Sequence, residues 1–382
     1  MGFCIFVKNK KIMGENHLTY FKIENFKRFD SFEMENIGQY NLLVGDNNVG
    51  KTSVLEGLCF EKNNLGQLIW GFINTFIKRK MINLGNNNRY PFFEDIQKSN
   101  LFDNLIRDIS KPYLVEFITK NNSFAEIIEI DFLEYYQLSP VELESKIEDH
   151  IFGDYNSKYW LRLFKDGEKS GIFNGYFGSA LNEVLSRNYR VNMINLNTGD
   201  DTDLLSLFYK LLNEDKILRN EFLKILKMIL PKVDEIRPHK IGETEYLAVG
   251  LEDKNGLFPI TYFGDGVVKL TRILLEILDA KGKRLMIDEI ETGIHFSRLK
   301  DFWKTVITLC KKYDVQLFAT THSLECQKYF VYALAELEEE DRKNARNISL
   351  VEDSEGQVKS ITFDFKQFEF AMEIGYNTRG GF

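Results

Sequence analysis

Apolar positions along the chain change their period several times, and each change marks an element. Tyr20, Ile23 and Phe26 lead into the run Tyr40-Asn41-Leu42-Leu43-Val44, which reads as a short buried strand ending at a glycine. From Lys51 the period lengthens, and Val54, Leu55, Leu58 and Cys59 share one face of a helix. Leu68, Ile69, Phe72, Ile73, Phe76 and Ile77 repeat at helical spacing and read as a packing helix, before an Asn-rich loop at 82–93. Residues 115–118 and 127–132 read as strands. Two helices start near Asp200 and near Lys216, the second stopped by Pro231. Their apolar faces (Leu204, Phe208, Leu211 and Phe222, Ile225, Ile229) predict an antiparallel helix pair.

From residue 257 the rhythm becomes regular. Helix 266–279 precedes strand 285–287, helix 296–311 precedes strand 316–319, and helix 323–337 precedes a strand pair at 348–351 and 361–363. Strands alternating with helices predict an α/β fold on a mostly parallel sheet. The acidic run 338–341 reads as a solvated helix end.

Composition narrows this picture. A chain of 382 residues exceeds one small core. The 49 Lys and Arg against 57 Asp and Glu leave a net charge of −8, which argues against a surface made as a whole for nucleic acid but leaves room for a local basic groove. Cys4, Cys59, Cys310 and Cys326 are far apart and form no CxxC pair, as expected in a reducing cytoplasm. The most apolar helical stretch, 68–77, is broken by Gly71 and Asn74 and falls far short of the roughly 20 residues a bilayer span needs. A cytoplasmic protein with no membrane partner is expected.

Gly45-Asp46-Asn47-Asn48-Val49-Gly50-Lys51-Thr52 fits the phosphate-binding pattern G-x-x-x-x-G-K-[ST], followed by Ser53. Each part has a physical reason. Glycines let the backbone curl so that N–H groups face phosphate oxygens, and the helix behind adds unpaired donors. Lys51 is expected to reach the β- and γ-phosphates of ATP, and the Thr52 hydroxyl to ligate Mg2+. The motif follows a strand and opens a helix, which is the setting it requires.

A second half of the site is expected at Leu285-Met286-Ile287-Asp288-Glu289, a short apolar strand ending in two carboxylates. Strand carboxyl ends face the ligand crevice of a parallel sheet. Asp288 is the candidate metal ligand and Glu289 the candidate general base, separated because successive strand residues point to opposite sides. Gln316-Leu317-Phe318-Ala319-Thr320-Thr321-His322-Ser323 reads as a buried strand whose His322 senses the γ-phosphate side, or else as an exposed neighbour of the helix N-cap Ser323. Phe263-Gly264-Asp265-Gly266-Val267-Val268-Lys269 places two glycines around an Asp before an amphipathic helix, open to an approaching anion or serving as a simple turn.

In this order the motifs resemble an ABC-type ATPase head of the SMC and RecF kind, and most closely the OLD-like AAA-family ATPases of bacteria. The carriers are Ile23-Glu24-Asn25-Phe26-Lys27-Arg28-Phe29, the loop 45–52, Gly264-Asp265-Gly266, Asp288-Glu289 with Glu291-Thr292-Gly293-Ile294-His295, and Thr321-His322-Ser323. The resemblance implies a mixed-sheet head built from 1–60 and 236–382, around an insertion at 61–235 of mixed helix and strand, mainly helical. It implies a head-to-tail homodimer or higher homo-oligomer with ATP sandwiched between subunits. Gly264, Asp265 and Gly266 would then act in trans as a signature segment, with Lys269 a trans charge on the γ-phosphate. Glu291, Gly293 and His295 would match the D-loop at the dimer interface.

Two features depart from the family pattern. Gly264 stands where signatures of this kind carry Ser, so a hydroxyl contact is lost. The 60 residues after His322 are too few for the Toprim nuclease domain of OLD proteins. The expectation is therefore an ATPase subunit that works with a separate nuclease or toxin, as in an anti-phage system. A RecF-like DNA-repair ATPase, with Lys27-Arg28 and Lys78-Arg79-Lys80 near phosphates, and a nucleotide-gated scaffold that holds a toxin inactive are the competing readings. Nucleic acid stays open as a partner.

Overall fold

Strand β3 (Tyr40–Gly45) is buried along its whole length, as a strand paired on both sides and covered on both faces must be. In this computed structural model the described residues are 17–59, 201–227, 230–376 and 378, with the strands lying between 113 and 194. The 68–77 stripe, the 82–93 loop, Lys78-Arg79-Lys80 and Cys4 lie outside them.

The central sheet has the order β16-β15-β3-β14-β13-β9. Its strands are β9 (Met193–Ile194), β13 (Arg284–Ile287), β14 (Gln316–Thr320), β15 (Ala345–Glu352) and β16 (Val358–Asp364) around β3. All neighbours run parallel except β15 and β16, which pair antiparallel. Ile287 lies opposite Ala319 and Thr320 opposite Leu43, so the carboxyl ends of β13, β14 and β3 finish side by side. That shared edge positions the site.

Eight α-helices accompany the strands among the described residues: α1 (Lys51–Gly57), α2 (Asp201–Leu211), α3 (Lys216–Leu226), α4 (Asp265–Asp279), α5 (Leu299–Tyr313), α6 (Leu324–Ala335), α7 (Glu339–Lys343) and α8 (Phe365–Glu373). Val268, Ile273 and Ile277 of α4, Trp303 and Val306 of α5 and Phe330 of α6 join the main core cluster. Trp303 and Phe330 pack edge to face with centroids 4.7 Å apart. The predicted α2–α3 pair does not hold as such: α2 packs chiefly on α4 and on β11 (Thr244–Leu251), and α3 on β10 (Val233–Ile241). Apolar stripes declare that a face is covered, not what covers it.

A second sheet, of order β2-β1-β4-β5-β7-β8-β6, joins the N-terminal strands to the span 61–235. Here β1 (Leu18–Phe26) pairs with β2 (Phe29–Glu35) on one side and β4 (Tyr113–Thr119) on the other. It continues through β5 (Glu126–Glu134), β7 (Tyr159–Lys165), β8 (Glu168–Asn174) and β6 (Ile151–Phe152). Within 61–235 the described elements are the strands β4 to β9, the start of β10 and the helices α2 and α3.

The third sheet, β10-β11-β12, ending in β12 (Lys254–Pro259), is an antiparallel meander with no counterpart in the sequence reading. Its edge strand β10 contains Pro238 and charged Asp234, Glu235, Arg237 and Lys240, a composition that edge strands tolerate and that hides them from apolar patterning.

The acidic run 338–341 is only partly solvated. Asp341 is buried, ion-paired to Lys311 at 3.0 Å, and accepts a hydrogen bond from the Tyr40 hydroxyl at 3.4 Å. Burial and the neighbouring Asp341 push the Tyr40 pKa far up, which keeps that hydroxyl a donor. Among the described residues no helix is long and apolar enough to cross a membrane.

Candidate active site

The phosphate-binding pattern lies between β3 and α1. Gly50 has φ 101°, and a Cβ there would lie 2.5 Å from the Phe29 ring, so a side chain at this position fails on both counts. Asp46, Asn47 and Asn48 are exposed at the mouth, Val49 is buried behind them, and Ser53 is half-buried in the first turn of α1. The Lys51 ammonium donates to the carbonyls of Gly45 and Asp46, both at 2.8 Å. Burial lowers the Lys51 pKa to about 8, against the opposing pull of Asp288, Asp46, Glu289 and Glu291.

Lys27 and Arg28 brace this loop. Lys27 is ion-paired to buried Glu56 on α1. Arg28 donates to the Asn48 carbonyl and, at 2.7 Å, to Glu352.

Asp288 stands where β13 ends, and its two oxygens face two hydroxyls. Oδ2 accepts from Thr52 at 3.0 Å and Oδ1 from Thr320 at 2.7 Å. Thr320 is a member of the site that sequence reading passed over, although its place at the end of β14, two residues before His322, was visible. Its hydroxyl also accepts the Glu289 N–H at 2.8 Å.

The expected alternation of Asp288 and Glu289 along a strand needs correction, because the strand stops at Ile287. The two carboxylates part because Glu289 takes a left-handed backbone, φ 45°, at a cost of about 1–2 kcal/mol for a residue with a Cβ. Glu289 Oε1 lies 3.5 Å from His322 Nε2, and Oε2 accepts from the Thr292 hydroxyl at 3.2 Å. The Ser323 hydroxyl caps α6 by accepting from the Cys326 N–H at 3.1 Å, and His322 beside it is half-buried.

The other candidates gather at the start of α4. Gly264, Asp265 and Gly266 meet Gly293 and His295 of the same chain around a cavity of about 440 Å³, also lined by Phe302. A Cβ on Gly266 would lie 2.1 Å from the Gly293 carbonyl oxygen, so the two segments touch backbone to backbone. His295 caps the Phe296–Arg298 turn and contacts the Ser297 hydroxyl at 2.8 Å.

Two side chains tie this cluster to the first. The Lys269 ammonium donates to the Glu289 carbonyl of its own chain, where the sequence reading assigned it to a partner's nucleotide. Glu291 Oε1 accepts the N–H groups of His322 at 3.2 Å and Ser323 at 3.3 Å.

The oxygen set suits a hard divalent cation. A hydroxyl and a carboxylate oxygen 3.0 Å apart beside a phosphate loop are donors that Mg2+ takes, and it needs few from protein. These features define a P-loop nucleoside-triphosphatase on an α/β sheet. A family model described as "AAA domain, putative AbiEii toxin, Type IV TA system" matches residues 40–325, and the chain belongs to that family; it is an ATPase of the AAA class.

Among curated proteins the chain is similar to one named ATP/GTP phosphatase from Helicobacter pylori, at 22% identity over 322 residues, which is 80% of this chain and 85% of the relative. Among solved structures it is similar to an SMC head domain from Thermotoga maritima (11% identity, TM-score 0.44, 91% of this chain and 99% of that one). It is also similar to an SMC head domain with an extended coiled coil, bound to the C-terminal domain of ScpA derived from Pyrococcus furiosus (12% identity, TM-score 0.47, 94% of this chain and 100% of that one).

Proposed function

We propose that this chain is the ATP-hydrolysing subunit of a bacterial ATPase–effector pair whose nuclease or toxin is a separate chain. The observation that carries the catalytic reading is the convergence of Thr52, Asp288 and Thr320 within hydrogen-bond distance at the carboxyl ends of the central strands. In this reading Lys51 and the N–H groups of residues 45–52 hold the triphosphate. Thr52 and Asp288 would hold Mg2+, which would supply positive charge to offset that of the phosphates. Glu289 accepts the proton of the attacking water. His322 stands on the γ-phosphate side and orients the Glu289 carboxylate.

The pairing with an effector is supported by the toxin–antitoxin description that the family carries. The head-to-tail dimer is supported by the geometry of the second cluster. Gly264, Asp265 and Gly266 lie with Gly293 and His295 around one cavity, a shared surface for a second copy to meet.

One substitution tests the site and the dimer together. Glu289→Gln with ATP and Mg2+ is expected to double the mass read by light scattering and to stop phosphate release. Wild-type turnover in that variant removes Glu289 as the base; a monomer at every ATP concentration removes the dimer. For the pairing, affinity capture of the ATP-bound variant from its native host is expected to recover one stoichiometric nuclease or toxin, and recovery of the chain alone counts against it.

A further inference from the structure

Glu289 is held through its backbone as well as its carboxylate, and one of the holds comes from α4. Its left-handed backbone is held at both peptide groups. On one side its N–H donates to the Thr320 hydroxyl at 2.8 Å. On the other its carbonyl accepts the Thr292 N–H at 3.0 Å and the Lys269 ammonium. A strained turn persists only where its surroundings over-determine it.

Lys269 reaches this carbonyl from α4, the helix that begins at the Gly264-Asp265-Gly266 turn. We propose that Lys269 is a positioning residue of its own chain's hydrolytic site: it locks the Glu289 turn from α4 and so aims the carboxylate that the mechanism uses. Glu291 completes the device. Its carboxylate accepts from the backbone N–H groups of His322 and Ser323, which ties the turn to the histidine and the start of α6. Burial lowers the Lys269 pKa to about 8, and Glu291, ahead of Glu289 and Asp288, resists that shift. The ammonium is thus desolvated against this cluster rather than extended into solvent. Because α4 also carries the Gly264–Gly266 segment, a ligand that displaces this segment acts on the Glu289 turn of the same subunit.

The inference rests on the reading of Glu289 as the base, and its test keeps the two apart. Lys269→Met removes the donor while keeping the length of the side chain. It is expected to lower kcat ~10–100-fold, the scale of a slightly misplaced catalytic group, with KM and ATP affinity changed less than about twofold. Lys269→Arg, which retains a cationic donor for this single-point contact, is expected to recover part of the lost rate. A thermal melt of each variant guards against misfolding; a matched fall in melting temperature, ATP affinity and kcat assigns a merely structural role and overturns the proposal.

Mixed dimers then decide between same-chain and partner-chain action. One subunit carries Lys51→Ala, so that only the other hydrolyses. Lys269→Met placed in the hydrolysing subunit is expected to abolish most turnover, and in the Lys51→Ala subunit to leave it. The opposite pattern overturns the proposal in favour of a trans charge. If wild-type protein shows no ATP-driven dimer, the dimer reading falls and the proposal is judged on the single-chain variants: an unchanged kcat in Lys269→Met refutes it. If Glu289→Gln retains turnover while Lys269→Met loses it, the base assignment fails separately.

Discussion

The two glycine-rich turns of this protein do opposite things with similar sequence. The turn at 45–52 curls between β3 and α1, and its lysine stays home: Lys51 bonds two carbonyls of the loop that carries it. The turn at 264–266 opens α4, and its lysine leaves: Lys269 crosses to a carbonyl twenty positions on. Burial lowers both lysines to about 8. The first turn keeps its lysine local, while Arg28 and Asp288 reach it from other segments. The second is an assembly of segments far apart in the chain: Gly266 lies against Gly293, Lys269 reaches Glu289, and Glu291 holds the N–H groups of His322 and Ser323. The difference explains why one is a recognisable motif and the other a pair of glycines around an aspartate.

Four perturbations act on this contrast. The largest effect is expected from Glu289→Gln, which should lower kcat ~10²–10⁴-fold, the usual worth of a general base, with ATP affinity retained. Single-turnover phosphate release checks it. Lys51→Ala comes next. It should weaken ATP binding ~100-fold or more, since it removes charge-assisted bonds to phosphate, where Lys269→Met leaves affinity nearly unchanged. Equilibrium titration with a fluorescent ATP analogue separates them. Equal losses in the two variants would erase the distinction between the turns.

Gly266→Ala should act on the second turn alone. Its Cβ would meet the Gly293 carbonyl at 2.1 Å, and because a Cβ is fixed to its backbone and the carbonyl is part of one, a segment must move. A destabilisation of about 1–3 kcal/mol is expected, the range for overpacked sites, seen as a lower unfolding midpoint with unchanged ATP affinity. A neutral midpoint would show that the two segments separate freely.

The smallest effect is in pH. The Lys51 pKa is lowered, so the unfolded chain holds its proton over a window where the folded chain has lost it. Stability from this group therefore rises with pH between about 8 and 10.5. ATP binding runs the other way, because phosphate needs the charged ammonium. The dissociation constant should be flat below pH 8 and rise toward ~10-fold per pH unit above it. The Lys51→Ala variant should lack this dependence, and calorimetry in buffers of different ionisation enthalpy reads the proton taken up.

What was legible in the sequence follows from the range over which each device acts. The strand at Tyr40, the helix at Lys51 and the pattern 45–52 are decided by neighbours within ten residues: apolar periodicity, glycine at a positive φ, a lysine and a hydroxyl at the helix start. Asp288 and His322 were readable as strand ends because a parallel sheet turns its carboxyl edge toward its ligand. Thr320 was not, since its role is to meet Asp288 across a strand pairing that only the register of β13 on β14 creates. Nor was the meander β10-β11-β12, whose outer strand carries charges in place of an apolar pattern. Lys269 shows the same limit from the other side. Sequence marked it as a cation beside a glycine turn, but spacing alone does not say which atom so long a side chain reaches. In the fold it reaches the carbonyl that the left-handed turn of Glu289 presents to α4.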